Sequence, residues 1–234
     1  MRSRWSRTCV AAASSTASRS PREPSTRWSA RPVIGSTGDL PPDRGYPRLL
    51  NLGAGTLRYE GWVNADEYGF KRALRERSFA PDWMLDITRT WNCPRDYWDG
   101  ICSQHVIEHL TYSEAVHVFE ECWRTLKPGA WLRVSVPDVK KYFTGYLERS
   151  RVIGGNEFPS PALAVSSLTQ MHFHRSAWDG ELMCTVLSAL GFVDAREIEF
   201  GEGADARLLK DQAAKRFESL YVGARKPPQA RELQ

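Results

Sequence analysis

At 234 residues the chain is long enough to bury one sizeable core and too short for two large domains. Its 41% apolar and 26% charged residues are those of an ordinary globular protein. No apolar run approaches the ~18 residues needed to cross a bilayer, which excludes a membrane-spanning helix. The net charge of +4 is misleading: eight Arg against Glu23, Asp39 and Asp43 place +5 in residues 1–45 and leave −1 for the rest, so the body lacks the clustered positive charge that neutralises nucleic-acid phosphates.

Residues 1–45 are rich in Ser, Arg, Thr and Pro, with too few apolar side chains to offset the entropy of ordering a backbone, and are expected to form a disordered tail. Their Arg-rich, acid-poor character also resembles an organelle transit peptide, and an over-extended translation start accounts for them equally well. A globular domain is expected over 46–227, followed by a short tail at 228–234. Cys9, Cys93, Cys102, Cys122 and Cys184 are odd in number, scattered and free of C-x-x-C spacing. They read as reduced thiols acting as small buried hydrophobes in a cytoplasmic protein.

From Pro47 short apolar strands alternate with helical segments, the βαβα order of a parallel sheet with helices on both faces. The strands are predicted at 48–52, 61–65, 83–86, 98–103, 131–136, 193–200 and 219–224. One helix is predicted from Thr111, whose side chain and Glu114 form a reciprocal capping box. Ala115, Val118, Phe119, Cys122, Trp123 and Leu126 follow as a single apolar stripe that Lys127, Pro128 and Gly129 terminate. A second helix reads from Asp138, with Val139, Tyr142, Phe143, Tyr146 and Leu147 on one face. A third runs from Ala177 to Leu190 and stops at Gly191.

The chemistry-bearing residues fall where these strands end. Leu49 to Leu52 run into Gly53, Ala54 and Gly55, a turn whose missing Cβ atoms let a backbone approach a ligand. Asp66 closes the next strand, placed to accept hydrogen bonds from two ribose hydroxyls. Asp86, beside Ile87, ends the third strand at the level of an adenine amino group. Ser103 ends the fourth, and Gln104, His105, Glu108 and His109 follow at the mouth of the same crevice.

The order LNLGAG, GWVNAD, DWMLDI, WDGICSQHVIEHL and RTLKPGAWLRVSVPD resembles the class I S-adenosylmethionine (SAM) dependent methyltransferase superfamily, with type 11 methyltransferases most similar. The resemblance spans Leu49 to Asp138, with weaker echoes at Leu187 to Phe192 and in the final SLYVGARK. It implies a Rossmann-like, doubly wound α/β sheet of seven strands with the last antiparallel, and SAM as cofactor. By position Gly53, Ala54 and Gly55 match the glycine turn, Asp66 the ribose acid, Asp86 and Ile87 the adenine side, and Ser103 and Gln104 the loop beneath the sulfonium. Two features depart from the pattern. Leu57 stands where many members carry a third glycine, and the link from Gly55 to Gly61 is too short for the usual crossover helix. That shortening, with the GW-N-D second strand, resembles members linked to sugar or polysaccharide pathways.

The implied reaction moves a methyl group to a small-molecule or glycan acceptor, with oxygen as the leading target and no metal required. If the acceptor is a hydroxyl, a base must take its proton, and His105 leads His109, His172 and His174 because it directly follows the fourth strand. His172 and His174 share one side of an extended segment, where they line the acceptor pocket, bind a metal or sit in a solvated loop. His117 is expected to be solvated. Glu108 serves as base, substrate sensor or helix-dipole partner. Trp62 and Trp98 face the cationic sulfur or pack in the core. Lys71, Arg72, Arg75 and Arg77 attract an acidic acceptor or form a solvated helix face. The competing readings are a non-catalytic SAM-binding scaffold, consistent with the shortened crossover, and an NAD-dependent oxidoreductase. The latter lacks the third glycine and the ~20-residue spacing to its acid.

Overall fold

The structure is a computed structural model describing residues 36–37, 39–67 and 81–228. Seven strands form one sheet: β1 (Leu49–Leu52), β2 (Val63–Asp66), β3 (Trp83–Met84), β4 (Trp98–Gln104), β5 (Leu126–Pro137), β6 (Val193–Ile198) and β7 (Ser219–Arg225). Their order across the sheet is β6-β7-β5-β4-β1-β2-β3. Every pairing is parallel except those of β7, which runs antiparallel to both neighbours. The predicted seven-stranded α/β sheet with an antiparallel last strand is therefore what forms. The chain reverses direction between β3 and β4, so the crevice at a topological switch point lies beyond the carboxyl ends of β1 and β4.

Alternation along the strands sorts the core into two faces. Leu50, Leu52, Ile101, Leu132 and Val134 point into the main core, where α1 (Tyr112–Thr125) and α4 (Gly180–Ala189) supply Ala115, Val118, Phe119, Met183 and Leu187. Leu49, Trp62, Cys102 and Leu208 form a smaller cluster on the opposite face. The α1 start is the predicted one: Thr111 N donates to Glu114 Oε2 at 2.7 Å, and Glu114 N returns to Thr111 Oγ1. Cys93, Cys102 and Cys122 are buried as expected, and burial pushes the Cys93 and Cys102 thiols up to about 12. Cys9 lies outside the described residues.

Three expectations change. The α2 helix (Val139–Leu147) buries Tyr142 but leaves Phe143, Tyr146 and Leu147 exposed. It packs with α3 (Pro161–Gln170), a helix of weak periodicity that the sequence pattern does not predict. Ser160 caps α3 and Pro161 fills its first turn, where a missing N–H costs nothing. The α4 helix starts at Gly180, later than expected, because Asp179 accepts from Leu182 N at 2.8 Å and so caps it. Residues just before Tyr46 pack on this body as well: Pro41 is buried, Asp39 O accepts from Trp83 Nε1 at 2.9 Å, and Arg44 pairs with Asp82 at 2.7 Å. Residues 1–35, the basic run Lys71 to Arg77 and residues 229–234 lie outside the described residues.

The short β1–β2 link contains no helix, and buried amides hold it. Asn51 Nδ2 donates to Leu57 O (2.7 Å) and to Asn64 Oδ1 (3.0 Å), and Asn64 Oδ1 also accepts from Tyr59 N (2.9 Å). Asn64 Nδ2 reaches Asp82 Oδ2 at 2.7 Å, and Arg58 completes the cluster on Asp82. The GW-N-D pattern thus has a structural use: its Asn fastens a loop too short for a helix.

Candidate functional site

The glycine turn leaves β1 with Gly53 at φ 70° and Gly55 at φ 53°, conformations in the left-handed region that side chains with a Cβ disfavour. The amides of Gly53 and Ala54 both donate to Ala65 O at 2.9 Å, which folds the turn back over β2. A Cβ on Gly53 would meet Val106 Cγ2 at 2.2 Å, so this glycine is needed to let the β4 exit loop close against the turn. At Gly55 nothing lies within 4 Å of the Cβ position, and the backbone there faces open space.

Asp66 and the turn meet directly, because Gly55 N donates to Asp66 Oδ2 at 2.6 Å. Asp86 follows β3 and is held from behind by Thr88 N (3.0 Å), Thr88 Oγ1 (2.6 Å) and Arg89 Nε (2.9 Å). Burial works to raise its pKa, and these donors outweigh that and keep the carboxyl below its usual range. The neighbouring Glu67, which sequence reasoning passed over, titrates above its usual range through burial and the negative charges of Asp86 and Asp66. Three carboxylates therefore share one acidic edge beside the glycine turn. The residues present suit a nucleoside ligand with hydroxyl and amino donors: an open left-handed glycine, a half-buried acid bound to its amide and a second acid one strand further.

The remaining candidates divide. Ser103 is buried and its Oγ has no hydrogen-bond partner among the described residues. Gln104 turns to the opposite face, where Nε2 donates to Tyr59 Oη (2.8 Å) and Lys210 O (2.9 Å). Ile87 packs on the main core, and its carbonyl accepts from Trp91 Nε1. Trp98 is fully buried at the start of β4 and Trp62 lies in the smaller core cluster, so both serve packing. His117 is buried, not solvated.

His105 leaves β4 at φ 53° with its amide bonded to Ser135 O. Its Nε2 lies 2.7 Å from Ser219 Oγ, whose own proton goes to Lys215 O at 2.8 Å. Nε2 must then carry the ring proton in the neutral form, leaving the Nδ1 lone pair 3.1 Å from Glu108 Oε1. Glu108 is 2% exposed and sits in a short 3-10 turn, Ile107–His109, not at the start of α1.

Beyond His105 opens a cavity of ≈ 860 Å³, within the range of small-molecule sites, between the β4 exit and the α2–α3 pair. Glu108, His109, Tyr142, Leu168, His172 and His174 contribute to its lining. His172 and His174 do not share an extended segment as expected. His172 and Phe173 take left-handed φ values of 57° and 63°, and the resulting turn brings the His174 ring to 5.0 Å from that of His109. Burial lowers the pKa of His174, the leading influence among several.

No protein-family model and no curated protein matches the chain. Solved structures do. A SAM-dependent methyltransferase from Mesorhizobium loti is 19% identical, with 79% of this chain and 93% of that chain aligned at a TM-score of 0.52. A SAM-dependent methyltransferase from Archaeoglobus fulgidus is 17% identical, with 78% and 87% aligned at a TM-score of 0.50. At such identities the likeness is one of fold alone: this chain shares the fold of these two SAM-dependent methyltransferases.

Proposed function

We propose that the chain is a cytoplasmic SAM-dependent methyltransferase whose acceptor is a hydroxyl of a small molecule or glycan. The observation that carries this reading is the junction of Gly55 N with Asp66 Oδ2 at the carboxyl edge of a sheet of this fold, with Asp86 one strand away. Gly53, Ala54 and Gly55 would line the cofactor's path, Asp66 would take the ribose hydroxyls, and Asp86 with Ile87 the adenine end. Ser103 and the backbone of Gln104, whose side chain points to the other face, would border the reacting end.

SAM, when bound, supplies an already activated methyl group, so no protein nucleophile is needed. The chain's part is alignment and exclusion of water, effects worth ~7–11 kcal/mol in well-oriented reactions. The cavity beyond His105 would hold the acceptor, and its α2–α3 wall would set which acceptor fits. His105 would take the acceptor's proton at Nδ1, the ring nitrogen that the Ser219 contact leaves with its lone pair.

Calorimetric titration with SAM and with NAD tests the reading: SAM binding is expected, and binding of NAD in its place would refute it. Asp66→Ala should weaken SAM binding by ~10-fold or more, since a bond to a charged acceptor is worth ~1.5–3 kcal/mol. An unchanged affinity would remove Asp66 from the site. A second reading, a SAM-binding scaffold without turnover, is favoured by the helix-free β1–β2 link. Tight SAM binding with no methyl transfer to any hydroxyl acceptor would select it.

A further inference from the structure

Glu108 poses a problem that the cofactor site does not solve. Its carboxylate is buried, yet neither oxygen has a hydrogen-bond partner among the described residues, and the 3.1 Å approach of His105 Nδ1 lacks hydrogen-bond geometry. An ionised carboxylate in that position is costly unless a cation or donors meet it. It lines the cavity, and two imidazoles stand beside it: one ligand atom each from Glu108, His109 and His174 lie within 4.8 Å of one another.

The surroundings hold this cluster in place. Arg175 N and Ser176 N both donate to Glu108 O, at 2.7 and 3.1 Å, and Ser176 Oγ donates to Ile107 O, so the loop carrying His174 is docked on the turn carrying Glu108 and His109. His174 Nδ1 lies 3.0 Å from Leu168 O. A carbonyl only accepts, so Nδ1 carries the proton and Nε2 keeps its lone pair for a ligand, the arrangement that orients metal-binding histidines.

We propose that Glu108, His109 and His174 form a binding site for a divalent first-row transition metal, such as Zn²⁺, Mn²⁺ or Fe²⁺. Two imidazoles and one carboxylate suit such ions better than Mg²⁺ or Ca²⁺, which prefer all-oxygen sets. Donors around one ion at ~2.0–2.2 Å lie roughly 3–4 Å apart, so the three groups need to close by about 1 Å. Three protein ligands leave coordination positions open toward the cavity. Resting on the methyltransferase reading, the proposal assigns those positions to the acceptor's oxygen: an acceptor with two neighbouring oxygens would chelate there, and the ion would ease loss of the hydroxyl proton.

The test uses the full chain, stripped with a chelator and titrated with Co²⁺ alone. The expected result is one Co²⁺ per chain with weak visible d–d bands and no strong sulfur charge-transfer band, displaced by Zn²⁺. Loss of partners merely next to ligands costs ~10–100-fold in metal affinity, so Glu108→Gln and His174→Ala should each weaken Co²⁺ binding at least ~10-fold. Thermal unfolding and SAM titration of each variant confirm that it is folded; His174, on a loop, keeps the test open should Glu108→Gln not fold. Failure of the unaltered chain to bind Co²⁺, or binding unaffected by both substitutions, would overturn the site. SAM affinity of the metal-free chain reads the methyltransferase proposal separately, so either idea can fail alone.

Discussion

Gly53 shows how one residue serves two demands. Its left-handed φ and its contact with Val106 both exclude a Cβ, so Gly53→Ala should cost about 2 kcal/mol or more in urea denaturation. In the double variant Val106→Ala should restore the part due to the overlap and leave the part due to φ, a split that a double-mutant cycle measures. The glycine turn, Asp66 and Asp86 were legible in the sequence because each is adjacent to a strand end and so is placed by local pattern. Glu67 was not, since its upward shift comes first from burial and then from Asp86, which belongs to another strand, with Asp66 beside it. Gln104 was legible as a position but not as a side chain: alternation along β4 sends its amide to Tyr59 and Lys210, on the face away from the main core.

At the scale of the element, the β1–β2 link replaces a helix with a buried polar clasp. Asn64→Leu would leave Asn51, Tyr59 N and Asp82 short of a partner, at about 1–3 kcal/mol for each group left buried and unsatisfied. A lowered midpoint in denaturant with SAM affinity reduced alongside is the expected outcome. The same clasp predicts a pH effect. Burial tends to raise the Asp82 pKa, but hydrogen bonds from Asn64 and the charges of Arg58 and Arg44 bring it below the usual 3.8. A carboxyl whose folded pKa is depressed contributes stability above its unfolded value and loses it as pH falls through the folded one. Stability of the unaltered chain should therefore drop below about pH 4, and the drop should be shallower in Asp82→Asn when unfolding is followed at a series of acidic pH values. The brevity of this link was plain from the spacing of Gly55 and Gly61, whereas its fastening required Asp82, from another strand. The α3 helix escaped notice for a related reason: its helical pattern is weak, and its burial of Ala164 and Leu168 against Tyr142 and Ile153 exists only once α2 is in place.

Across the whole molecule, the face opposite α1 is closed by the segment between β6 and β7. Leu208 reaches Gly100 and Leu49, and Arg133 on β5 binds Asp211 through a nearly dry pair with Nε to Oδ1 at 2.7 Å. Arg133 Nη1 also donates to Glu202 O, and Gly201 N donates to Asp211 Oδ2. Removing one member of a buried pair strands the other charge, so Asp211→Ala should destabilise by about 3–5 kcal/mol. Limited proteolysis should then cut within 199–216 before the sheet unfolds, and cleavage spread evenly over the chain would contradict this role. The segment also touches Gln104 through Lys210 O, which couples the closure of this face to the exit of β4.

The strands, their alternation, the caps at Thr111 and Asp138 and the residues at strand ends were determined by the sequence itself, because each depends on neighbours within a few positions. Which distant groups meet was decided by tertiary structure alone. The pairing of Arg133 with Asp211, the opening of a cavity under α2 and α3, and the approach of His174 to Glu108 and His109 all require the chain to fold back on itself, and no local pattern encodes such meetings.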